Sequence, residues 1–175
     1  MTSVLRDRKF WWHLTFQGLV AVVFMWLVLA GLDKVARSTI IWAAGASSLA
    51  SSSYIVFCAP SSIVARPLKI IGGYVIAVVV GECMRLLALV FCHVIPSCHV
   101  GVPFMHVFEV AAALSVGIAL LLMILFKSEH PPAAGLAVVM VLDIRNYYAL
   151  SIILFAACVL AFIRYLFRNK LCNLC

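Results

Sequence analysis

The sequence predicts an all-α membrane protein of about six transmembrane helices, built as two inverted three-helix repeats with interrupted or short second and fifth helices. Three observations predict it. Hydrophobic residues make up 66% of the chain and charged residues 11%, against roughly 45–50% and 25% in soluble domains. Charge-free runs recur at Phe10–Leu32, Ser38–Ala65, Leu86–Phe108, Val110–Phe126 and Asn146–Ile163, several longer than the roughly 18 residues that mark a spanning candidate. Finally, Pro131-Pro132 opens an apolar segment too short to cross. Ala133 to Leu142 reads as a helix of about 15 Å, against a bilayer core of about 30 Å.

The elements follow in order. The first segment covers about 10–30 and is read as a retained span, since its apolar run is too long for a signal-peptide core. The second covers 38–58 and has a small, hydroxyl-rich middle, Gly45 to Ser53. Ala59-Pro60 and Arg66-Pro67 separate it from the third, 70–94. The fourth is 104–126, the short fifth 132–143 and the sixth 147–167. Trp11, Trp12 and Trp42 lie near span ends and read as interfacial anchors. One transmembrane domain over 1–175 is expected, with no soluble domain.

Charge sets the expected orientation. With six crossings, Arg6, Arg8, Lys9, Arg66, Lys69, Lys127, Arg164, Arg168 and Lys170 share one side, and Lys34, Arg37 and Arg145 the other. The positive-inside rule then puts both termini in the cytoplasm. The net charge of +7 needs no nucleic acid, because most of it lies in inner loops and the tail.

Gly45-Ala46-Ser47-Ser48-Leu49-Ala50 and Pro132-Ala133-Ala134-Gly135-Leu136-Ala137 share small residues and a Leu-Ala pair, each in the second span of a three-span half. Two such halves have opposite orientations, the inverted repeat of many transporters. Their second helices would point N-terminal ends at one another, a setting that favours an anion. The plainer reading is that small residues let helices pack closely.

Gly45-Ala46-Ser47, Phe57-x-Ala59-Pro60-x-Ser62, Ala65-Arg66-Pro67, Ile71-Gly72-Gly73 and Glu129-His130-Pro131-Pro132-Ala133 occur in the order seen in the HPP family of integral membrane proteins. The chain resembles that family over about residues 10 to 168. The resemblance implies a transporter, and plant and cyanobacterial relatives are associated with nitrite. Two positions depart from the pattern: Tyr74 stands where histidine is usual, and Ala133 where glycine is common.

The expected function is therefore a transporter or channel for a small inorganic monovalent anion, nitrite first. Its substrate site would comprise Gly45, Ser47, Ser48, Ser51, His130, Pro131, Pro132, Ala133 and Gly135. Backbone N–H groups near Ser47–Ser48 and Ala133–Gly135 would replace the hydration of the ion. His130 would donate to it or titrate near neutral pH; its plainer role is a helix cap. Glu82 and Arg85 lie three apart on one helical face and read as an internal ion pair or, with Glu109 taking Arg85, as a free coupling carboxylate. Arg66 and Lys69 are topology signals or an anion entrance. Alternatives are a proton- or sodium-coupled carrier of an organic solute and a non-transporting subunit.

Cys92-His93 and Cys98-His99 leave three options open: a metal site, a Cys92–Cys98 disulfide or free thiols. Cys58, Cys83 and Cys158 read as small core residues, and Cys172 and Cys175 as a pair at a frayed end. Asp143 and Arg145 read as caps of the short helix. The sequence holds no His-Glu-x-x-His, Gly-x-Ser-x-Gly or phosphate-cradling loop, so an enzyme is not expected, nor a cofactor or a bound metal. Partners are the anion, the lipid bilayer and a second copy in a homo-oligomer, a dimer being favoured.

Overall fold

The computed structural model describes residues 8–35, 39–94, 102–142 and 147–174. The expectations on Arg6, Arg37, Cys98, His99, Asp143, Arg145 and Cys175 fall outside them. Among the described residues the chain forms six α-helices and no strand: α1 (Arg8–Val35), α2 (Thr39–Cys58), α3 (Pro67–Val94), α4 (Val102–Leu125), α5 (Pro131–Leu142) and α6 (Tyr147–Leu166), with a 3-10 turn at Ile63–Ala65 before α3. Among the described residues, four stretches are long and apolar enough to cross a membrane: Trp11–Lys34, Pro67–Val94, His106–Leu125 and Tyr147–Leu166. The fifth helix has 12 residues, about 18 Å at the usual rise.

Local chemistry sets the ends that frame the site. Arg66 is extended (φ −66°, ψ 135°), as the residue before a proline must be, and Pro67 supplies a first helical residue that lacks the N–H an interior position needs. At the end of α4, Lys127 takes φ 53°, a left-handed conformation usually left to glycine. The turn is held by Ser128 N–H to Met123 C=O at 2.7 Å and Lys127 N–H to Ile124 C=O at 3.0 Å. Pro131 then starts α5.

The second helix differs from expectation. It runs unbroken through the serine stretch, because the serines bond back within the helix. Ser51 donates to Ser47 C=O at 3.0 Å and Ser53 to Leu49 C=O at 2.8 Å, and Ser52 Oγ lies 3.0 Å from Ser48 C=O. Such back-bonding lets a hydroxyl sit inside an apolar helix without breaking it.

α3 packs on α4, α5 and α6, while α2 packs on α1, α5 and α6. Where α3 meets α5, glycine replaces side chain. A Cβ at Gly81 would stand 2.5 Å from Met140 Cβ and 2.8 Å from the Ala137 carbonyl oxygen, and one at Gly73 would stand 2.7 Å from His130 Cβ. The two helices thus run side by side, Gly73 level with the start of α5 and Gly81 with its later turns. The core around this seam holds Leu49, Phe57, Ile70, Leu136, Met140, Ile153 and Leu160. Gly45 belongs to it as a packing residue, since its missing side chain makes room for Ile153 of α6.

After α6 the chain turns back across one end of the bundle. Leu174 N–H donates to Cys58 C=O (2.9 Å), Gln17 Nε2 to Cys172 C=O (3.0 Å) and Ser61 Oγ to Asn173 Oδ1 (2.8 Å). Arg164 Nη2 donates to Pro60 C=O (2.6 Å). This strap ties α1, α2 and the connection to α3. Cys58 is only half-buried and Cys83 and Cys158 are exposed, so none of the three is the fully buried core residue expected. Trp11 and Trp12 are exposed.

Candidate functional site

His130 is fully buried (0% exposed) although it is titratable. The α4 turn and the Pro131 helix start leave it in the connection outside the membrane-spanning helices, with its ring aimed between α2, α3 and the 3-10 turn. Its Nδ1 lies 3.0 Å from Val64 C=O. A carbonyl only accepts, so Nδ1 carries a hydrogen and the neutral ring presents a lone pair at Nε2. Nε2 lies 2.8 Å from Ser52 Oγ. Burial lowers the His130 pKa below its ordinary value, and the Val64 carbonyl partly opposes that.

Ser52 leads to two further hydroxyls. Tyr74 Oη lies 3.0 Å from both Ser52 Oγ and Ser48 Oγ, and Ser48 Oγ donates to Pro132 C=O at 2.7 Å. Ser48, Ser52 and Tyr74 are all buried. The tyrosine and histidine rings tilt together with centroids 5.8 Å apart. α2 contributes both serines one turn apart, α3 the tyrosine beside the glycine seam, and α5 the carbonyl.

Counting protons shows what the group can do. Each hydroxyl holds one. With the ring neutral, Ser48 gives its proton to Pro132, Ser52 to His130 Nε2, and Tyr74 to either serine. With the ring protonated, Nε2 donates to Ser52, whose own proton turns to the Ser48 carbonyl, already 3.0 Å away. The cluster thus takes up a proton by rotating one hydroxyl, with the heavy atoms in place.

Beside it, Lys69 in the first turn of α3 pairs with Glu129. That hydrogen bond, helped by backbone N–H, holds the Glu129 carboxyl below the usual range. Arg66 is exposed.

The other expected residues divide. Ser47 and Ser51 are exposed and bond within their own helix. Gly135 is exposed with open space where a Cβ would go. Pro131 is exposed, and Ala133 is buried against Gly73. The free backbone donors expected at α5 are not at Ala133, whose N–H reaches His130 C=O at 3.0 Å, nor at the two prolines, which have none. Near Ser47–Ser48 the unbroken helix uses its own donors.

The Arg85–Glu109 pairing is absent. Arg85 grips Glu82 instead, Nε to Oε2 at 2.9 Å and Nη2 to Oε1 at 2.5 Å. Glu109 turns to His106 at 3.0 Å on an exposed face. One helical turn on the same helix is a shorter reach than a gap between helices. Cys92 is disulfide-bonded, and among the described residues no group of three or more His, Cys, Asp or Glu could hold a metal.

Two open grooves, about 480 Å³ between α3 and α4 and about 350 Å³ between α1 and α2, are lined by neither His130, Ser52 nor Tyr74. Sequence reasoning missed Ser52 as a site residue and Tyr74 as its partner. The signal available was the Ser48/Ser52 spacing, which puts both hydroxyls on one helical face.

The family model for the HPP transmembrane region matches residues 7–173. A transmembrane protein of Dictyostelium discoideum is 33% identical over 99 residues, 57% of this chain and 30% of that protein. A second from the same organism is 32% identical over 96 residues, 55% and 27% respectively. The matched stretch is thus under a third of each relative's length. No solved structure matches. The chain belongs to the HPP family of multi-pass integral membrane proteins, through that family's transmembrane region.

Proposed function

We propose that the protein is a transporter or channel for a small inorganic monovalent anion, nitrite first, and that the path passes the Ser48–Ser52–Tyr74–His130 cluster. One observation carries this reading: a fully buried histidine in a membrane protein, hydrogen-bonded into a run of hydroxyls. Buried ionisable groups in such proteins commonly mark substrate or proton paths. Neutral hydroxyl donors, joined by His130 Nε2–H when the ring is protonated, suit a weakly hydrated anion that must also leave. An ion at this point would take the hydroxyl hydrogen that Tyr74 now gives to a serine and those that Ser48 and Ser52 give to Pro132 C=O and His130 Nε2.

Which helices touch supports an inverted repeat. Exchanging α1 with α4, α2 with α5 and α3 with α6 carries the main helix contacts onto one another: α3–α5 onto α2–α6, α3–α4 onto α1–α6, and α4–α5 onto α1–α2. α2–α5 and α3–α6 map onto themselves. Placement of both termini on one side is supported by the bond from Gln17 of α1 to Cys172 in the tail, and the excess of Lys and Arg there makes the cytoplasm the favoured side. With Lys69 neutralised by Glu129, Arg66 is the better entrance residue.

A proton-coupled carrier is the second reading, favoured by the ability of Ser52 to turn when His130 is protonated. Glu82, held by Arg85, is the weaker coupling group.

The test is nitrite and nitrate flux into proteoliposomes, with and without a pH gradient, with His130→Ala as control. Saturable nitrite entry abolished by that change is expected. Absence of flux above empty vesicles, with folded protein, would remove the anion reading. Dependence on the gradient would select coupling.

A further inference from the structure

We propose that the outward face of α3 around Glu82 and Cys83 is the contact surface with a second copy of this chain. The inference is independent of what the protein transports.

Leu68, Val75, Val79, Leu86 and Val90 are exposed along α3, at spacings of three, four or seven residues once Glu82 is included, so they form one stripe. It is apolar but for Glu82. The carboxylate is 27% exposed and its partner Arg85 21%. From Pro67, Glu82 lies about 22 Å along a helix of about 42 Å. A hydrocarbon core of about 30 Å contains it whether the helix is centred or anchored at either end. Charged groups at such depth face protein or water rather than lipid. Within one copy, however, neither residue is fully covered.

The pair's own chemistry selects the partner. Arg85 spends Nε and Nη2 on Glu82, and among the described residues it makes no other hydrogen bond, although Tyr147 of α6 lies near enough to interact electrostatically. Its Nη1 donors, and the second lone pairs of the Glu82 oxygens, remain available. A second copy related by a two-fold axis along the bilayer normal sets α3 beside α3 in parallel. It offers each Arg85 a second carboxylate one turn away and each Glu82 a second guanidinium. The same patch serves both copies, as a two-fold interface requires.

Cys83, a free thiol exposed on this face, provides the test. The full chain in liposomes is treated with a thiol oxidant and run on a non-reducing gel. Most of the protein should appear as a reducible dimer, which Cys83→Ser should remove and Leu86→Cys in that background should restore. Leu121→Cys in the same background, on the exposed face of α4, should give none. Photobleaching of singly labelled protein at low density should show two steps. Single steps, or a dimer that survives Cys83→Ser or forms equally at Leu121→Cys, would overturn the proposal. Single steps with Cys83 closed to a water-soluble maleimide would assign the face to lipid.

Discussion

His130 Nε2 and Ser52 Oγ meet at 2.8 Å although 78 residues separate them in the chain. That bond joins the α5 start to the middle of α2. Replacing His130 by alanine leaves the Val64 carbonyl without its ring partner, while Ser52 can turn to the Ser48 carbonyl; an unsatisfied buried group costs about 1–3 kcal/mol, and the lost imidazole leaves a cavity besides. His130→Ala should unfold at clearly lower temperature in detergent and lose nitrite flux. Full flux from the folded variant would take the cluster off the path.

Tyr74→Phe should be milder. Ser48 keeps its bond to Pro132 and Ser52 keeps its bond to His130, so the loss is near one ordinary hydrogen bond, about 0.5–1.5 kcal/mol. Thermal unfolding of both variants in one detergent checks the order. A larger loss for Tyr74→Phe than for His130→Ala would contradict the proton count.

The α3–α5 seam predicts a contrast between glycines. Gly81→Ala drives a methyl into Met140 and the Ala137 backbone and should cost about 1–3 kcal/mol as overpacking. Gly117→Ala on α4 meets nothing within 4 Å and should stabilise slightly, by about 0.5–1 kcal/mol, through helix propensity. Equal melting temperatures for the two variants would mean that α3 and α5 are not in this contact.

Acid should weaken the Lys69–Glu129 clamp. Its folded carboxyl pKa lies below the usual value, so its contribution is present above the unfolded value of about 4.3. It fades as pH falls through that value and the folded pKa. Glu129→Gln should be less stable than wild type at pH 7, by a small margin because the pair is partly exposed, and the gap should narrow as pH falls below the ordinary carboxylate range. A gap that does not change with pH would mean that the carboxylate charge is not what holds the clamp.

Much of this was legible in the sequence for reasons that are local. Pro131-Pro132 announces a helix start and Leu142 its end, so the half-length α5 and the place of His130 follow without tertiary information. Glu82 and Arg85 pair because spacing on one helix is visible in a string of letters. The sequence suggests an interruption in α2 because serine favours turns in general, yet inside an apolar helix its hydroxyl can bond the carbonyl one turn back, as in Ser51 and Ser53, and leave the helix whole. Tyr74 reaches Ser48 and Ser52 only through the close approach of neighbouring helices, which no periodicity in one segment reveals. Ser47 and Ser51 carry the same chemistry as Ser48 and Ser52 but sit on the other face of α2.

The strap over the bundle end bears on how this sequence can drift. Of its bonds to the tail among the described residues, two use main-chain groups of Cys172 and Leu174, and the Ser61–Asn173 contact uses a tail side chain. Substitutions at Cys172 should therefore be nearly neutral. Gln17, the side chain that reaches across, has no such freedom, so selection on this contact falls on the first helix rather than on the last residues.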